Sequence, residues 1–73
     1  MQIQPSLVAR LKSLGFALGN QMKLYGEKFE IAGEPIIVND NLVLVDAIEV
    51  KSGKAKRVRI PLPVLKMAHE RVA

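Results

Sequence analysis

The chain has no cysteine and no tryptophan, a single histidine, and only three aromatic residues among 73. Without cysteine there is no disulfide, no thiol nucleophile and no thiolate metal site. His69 lies four residues from the end and reads as a solvated terminal residue, with no second histidine or carboxylate at metal-ligand spacing. Ser6 and Ser52 occupy a helix start and a turn, so no Ser, His and acid set is suggested. Gly26, Gly33 and Gly53 match no phosphate-cradling loop. The expectation is a protein without catalysis, metal or cofactor. No apolar run approaches the roughly 18 residues of a membrane span. Arg10, Lys12 and Ser13 interrupt what would be the apolar centre of a signal peptide. The chain is therefore expected to be soluble and cytoplasmic.

What is present is a segregated charge pattern. The formal net charge is +4, and five of the eleven cationic side chains (Lys51, Lys54, Lys56, Arg57 and Arg59) fall between residues 51 and 59. Six of the seven acids lie between Glu27 and Glu49. One rim of a small fold should then be positive, either as a polyanion surface or as a solubilising edge that blocks strand aggregation. The scarcity of aromatics argues against an extended base-stacking platform, and Phe16, Tyr25 and Phe29 all read as core residues.

The length makes one domain, residues 1–73, of a size at which a single core only just offsets chain entropy. With no disulfide available and 49% apolar residues, self-association is the remaining stabilising device. Pro5 and Ser6 followed by Leu7, Val8, Leu11 and Leu14 predict an amphipathic helix over about 5–15, closed by Gly15. From residue 20 to 68 the pattern predicts short strands broken at Gly26, Gly33-Glu34-Pro35 and Asn39-Asp40-Asn41, with a frayed tail over 69–73. Leu42 to Val45 is apolar on both faces and Ala47 to Val50 alternates, as in a bent strand. In the hairpin that follows, Ile48 is expected opposite Val58, Glu49 opposite Arg57 and Val50 opposite Lys56, with Gly53 at the positive-φ position. Pro61 and Pro63 interrupt pairing before a last short strand from Val64 to Ala68. Asp46 falls on the face of Leu44 and Ile48. There it is either at a bend that lets it reach water or Arg59, or a functional buried acid.

The order of elements, with Asn41-Leu42-Val43-Leu44 running into Asp46-Ala47-Ile48-Glu49-Val50 and a later Val58-Arg59-Ile60, resembles the Sm-like proteins. That resemblance implies a mainly β fold: a short N-terminal α-helix packed on a bent five-stranded Sm-like barrel. It also implies a homo-oligomeric ring of five or more subunits, joined through the fourth and fifth strands, acting as a non-catalytic scaffold for single-stranded RNA. Asn41 matches the family's base-contacting asparagine and Arg59 the arginine of its second motif. With Asn39, Lys54, Lys56 and Arg57 they form the candidate RNA-binding set. Asp40 stands where that family places a stacking or apolar residue, and Ile60-Pro61 where a glycine follows the arginine. Those departures favour an alternative, a structural or adaptor ring of phage or mobile-element origin that binds protein. A further resemblance, carried by Gly33-Glu34-Pro35-Ile36-Ile37-Val38-Asn39-Asp40, Arg57-Val58-Arg59-Ile60 and His69-Glu70-Arg71, is to the carbon storage regulator family of dimeric RNA binders.

Overall fold

The computed structural model describes residues 6–70. Helix α1 (Leu7–Ser13) begins where the hydroxyl of Ser6 accepts the backbone N–H of Ala9 at 3.1 Å. It ends in paired C-terminal bonds: the N–H of Gly15 donates to the carbonyl of Lys12, and that of Phe16 to Leu11. Gly15 has φ +117°, the left-handed geometry this cap requires, and the two apolar residues the cap brings together, Leu11 and Phe16, are fully buried. The sequence therefore stops the helix and starts the core in one device.

Five antiparallel strands follow: β1 (Gln21–Leu24), β2 (Glu27–Ile31), β3 (Ile36–Asn39), β4 (Leu42–Glu49) and β5 (Ala55–Arg59). Strand β4 is the centre of the sheet. Leu44 lies opposite both Ile36 of β3 and Arg59 of β5, and Ile48 opposite both Glu30 of β2 and Ala55 of β5. A residue has two edges, so β5 takes one edge of β4, while β2 and β3 follow one another along the other. Strand β1 extends the β2 end. Leu44, Ala47 and Ile48 of β4 thus have strand partners on both edges.

The sheet is unclosed. Its inward face carries Leu24, Phe29, Ile31, Val43, Val45 and Ala47, all buried, and α1 and α2 lie over it through Leu11, Leu65 and Ala68. Among the described residues no helix is long and apolar enough to cross a membrane.

Three expectations are corrected. Val64 to Ala68 is not a strand but the middle of α2 (Leu62–Glu70). The carbonyl of Pro61 accepts the N–H groups of Val64 and Leu65, both at 3.0 Å, and a proline in the first turn gives up no helical bond. Leu65 and Ala68, three apart, make the buried stripe while Lys66 and Met67 face water. His69 accordingly belongs to a helix and not to a frayed tail; residues 71–73 lie outside the described ones.

The β4–β5 register also differs by three residues: Val58 pairs with Val45, Arg57 with Asp46, Lys56 with Ala47 and Ala55 with Ile48. Matching Val58 to the buried Val45 keeps the apolar side of β5 on the core face, whereas Ile48 and Val50 are not on it. Gly53 does take a positive φ, +73°. Finally, Tyr25 is not a core residue but 61% exposed. With Gly26 it forms the two-residue turn of the β1–β2 hairpin, where both central residues have positive φ (53° and 78°).

Candidate nucleic-acid interface

Because Phe29, Ile31, Val43, Val45 and Ala47 point inward, their neighbours Lys28, Glu30, Leu44, Asp46 and Ile48 occupy the opposite face. On that face Lys23 and Lys28 stand directly opposite each other across β1 and β2. Both are exposed, and neither has an ion-pair partner among the described residues. Directly opposed like charges on neighbouring strands repel. Between them in sequence lies the turn residue Tyr25, whose hydroxyl donates to the carbonyl of Arg59 at 2.7 Å and so ties the β1–β2 turn across to β5.

The carbonyl of Lys28 accepts the N–H of Val50 at 3.0 Å, which places the cationic turn Lys51 to Lys54 beside the end of β2. That turn is tightly bonded. The Ser52 hydroxyl donates to Glu49, and the Lys56 ammonium donates to the other carboxylate oxygen of Glu49 at 3.0 Å. These two hydrogen bonds, Ser52 first, hold the Glu49 carboxyl below the usual carboxylate range. Arg57 is bound to Asp46 in the same way: its Nε donates to Oδ1 at 2.9 Å, and that hydrogen bond holds the Asp46 carboxyl low.

The other end of the sheet gathers Asn39, Asn41 and Arg59. Asn39 Oδ1 accepts the backbone N–H of Asn41 at 2.8 Å, shaping the β3–β4 turn. Arg59 Nη2 donates to the carbonyl of Asn41 at 3.1 Å, and His69 Nε2 bonds the carbonyl of Asp40 at 2.9 Å. His69, expected to be solvated, is half-buried and docks α2 onto this turn. A carbonyl only accepts, so Nε2 carries the proton. An open cavity of about 420 Å³ lies here, lined by Asp40, Asn41, Leu62, Leu65, Lys66 and His69.

The six candidate residues therefore fall into two groups. Asn39, Asn41 and Arg59 meet at the β3–β4 turn, where Arg59 and the Asn39 oxygen are spent on holding backbone. Lys54, Lys56 and Arg57 lie along β5 and its turn, and of these Lys56 and Arg57 are ion-paired. Asp46 reaches Arg57, not Arg59, and sits on the half-exposed face. The structure adds Lys23, Tyr25 and Lys28, which the cluster of cations further along the chain hides. Their signal was readable: Lys23 and Lys28 flank a two-residue Tyr25-Gly26 turn at hairpin spacing. Among the described residues, no group of three or more His, Cys, Asp or Glu side chains is placed to hold a metal ion. No family model, curated protein or solved structure matches this chain.

Proposed function

We propose that this chain is a non-catalytic module that binds single-stranded RNA in the cytoplasm on the outer face of its β1–β2 hairpin, and that it works as a homo-oligomer. The observation that carries the reading is the unpartnered Lys23–Lys28 pair beside the exposed ring of Tyr25. A phosphate between the two ammonium groups relieves their repulsion, and the tyrosine offers a face on which a base can stack. Lys51 and Lys54 extend the positive track from the neighbouring turn. Asn41 keeps its side chain free of hydrogen bonds among the described residues and stands at the rim of the cavity, available to a base edge. Arg59 is a positioning residue in this account, since its guanidinium and carbonyl hold the β3–β4 turn and Tyr25.

The finer fold assignment is part of the same proposal. The tether from Tyr25 to β5 supports reading the unclosed sheet as an open relative of the Sm-like barrel. A protein-binding adaptor is the second reading, favoured by the neutralisation of Lys56 and Arg57 and by the exposed apolar strand β3.

Fluorescence anisotropy with homopolymers of uridine, adenosine and cytidine at two salt concentrations tests it. Tyr25→Ala should weaken binding by about 1–3 kcal/mol, whereas Tyr25→Phe retains the stacking surface and most of the affinity. A wild-type protein that binds none of the homopolymers near physiological salt sinks the RNA reading in favour of the adaptor.

A further inference from the structure

Asn39 pairs with Leu42, so Asp40 and Asn41 are the two central residues of the β3–β4 turn beside the cavity. Every bond that holds them goes to their main chain. Arg59 Nη2 and His69 Nε2 bind the carbonyls of Asn41 and Asp40, and Asn39 Oδ1 accepts the N–H of Asn41. The backbone is thereby fixed from β5, α2 and β3 at once. The Asp40 carboxylate and the Asn41 amide make no hydrogen bond or ion pair among the described residues. Side chains placed by their backbone and left without partners lose little further freedom on engaging a ligand. Helix α2 supplies the rest of the lining: apolar Leu62 and Leu65, the ring of His69 and the ammonium of Lys66. Asp40 and Lys66 bring opposite charges to one cavity and do not pair with each other. About 420 Å³ with an apolar wall and a few polar groups is the ordinary form of a small-ligand site.

We propose that this cavity takes a guanine base, presented by a free nucleotide or by one nucleotide of a strand. Donors and acceptors select it. An ionised carboxylate only accepts, through two oxygens, so two adjacent N–H donors satisfy it best. Guanine alone among the four bases presents such a pair, N1–H beside the N2 amine, on one edge. Its O6 and N7 are acceptors, suited to the ammonium of Lys66 and the amide N–H of Asn41. Uracil sets a carbonyl on either side of its one N–H, and adenine and cytosine set a bare ring nitrogen beside their amine. Each leaves the Asp40 carboxylate against an acceptor, which is a cost guanine does not incur. The flat face of the ring lies against Leu62 and Leu65. Asp40, the wrong charge for a phosphate track, is thus the selecting group. The site shares only Asn41 with the proposed RNA contacts, so the inference goes beyond that reading and does not rest on it.

Titration of the four ribonucleoside monophosphates into the full chain, followed by NMR shifts, tests it. Guanosine monophosphate should bind at least about tenfold tighter than the other three, with shifts at Asp40, Asn41, Lys66 and His69. Inosine monophosphate lacks only the N2 amine and should lose most of that advantage, a comparison that needs no variant. Asp40→Asn, at an exposed turn position, should bind guanosine and inosine monophosphates alike. Four monophosphates bound equally, inosine bound as tightly as guanosine, or shifts confined to Lys23, Tyr25 and Lys28 overturn the proposal. A hexauridine oligomer carrying one guanosine, set against hexauridine itself, separates the sources. A gain in the oligomer assigns the base to a strand, binding of the monophosphate without that gain assigns it to a free nucleotide, and neither one overturns the proposal. If no homopolymer binds while guanosine monophosphate does, the RNA reading falls and this one stands.

Discussion

Asp46 and Arg57 face each other directly across β4 and β5, with Arg57 Nε donating to Asp46 Oδ1 at 2.9 Å on the outer side of the sheet. This pair fixes the hairpin register from the polar side while Val45 and Val58 fix it from the core side. It also removes one of the cations on which the sequence pattern places a polyanion site.

Acid should weaken the fold through these contacts. Asp46 and Glu49 both titrate lower in the folded chain than in the unfolded one. Their stabilising effect is fully present above the ordinary carboxylate range of about 4 and is lost as pH falls through the depressed folded values. Melting temperature followed against pH should fall in that acid window. The double variant Asp46→Asn, Glu49→Gln should fall less steeply. Identical profiles would show that the two ion pairs do not couple to folding.

The salt dependence of RNA binding separates the two kinds of lysine. Lys28→Ala removes a cation without an ion-pair partner and should flatten the salt slope by roughly 0.7 per lost phosphate contact. Lys56→Ala removes a cation already held by Glu49 and should change the slope less. Equal changes at both positions would place the phosphate track along β5 and not along the β1–β2 hairpin.

The helix cap gives a stability test. Gly15 adopts φ +117°, and an added Cβ would lie 3.2 Å from Met22 Cε. Gly15→Ala should cost about 1–2 kcal/mol in urea denaturation, from the backbone conformation alone, before Met22 shifts. A variant as stable as wild type would mean that the cap is not formed in solution.

The same helix anchors the core through Leu11, which is fully buried. Leu11→Ala should destabilise by about 2–5 kcal/mol, since the cavity lies between two helices and the sheet. Lys12→Ala, which loses only an exposed ion pair with Glu34, should change stability by no more than about 1 kcal/mol. Comparable losses at both positions would mean that α1 does not pack as described.

The sequence by itself determined the local devices. Ser6 and Gly15 bound α1, Gly26 and Gly53 supply positive-φ turn positions, and the alternation in β4 identifies an inward face, because each depends on neighbours within a few residues. It did not determine which periodicity Val64 to Ala68 would follow. The segment fits both two-residue and three-to-four-residue spacing, and the choice fell to packing of Leu65 and Ala68 beneath α1. Nor did it determine the β4–β5 register, where several alignments pair opposite charges and the packing of Val58 against the buried Val45 selects the one in which Asp46 meets Arg57. The candidate site divides in the same way. That residues 51–59 are cationic is sequence. That Lys56 and Arg57 are neutralised, that Arg59 grips a carbonyl, and that Lys23, Tyr25 and Lys28 stand open beside them are consequences of strands brought together from distant parts of the chain.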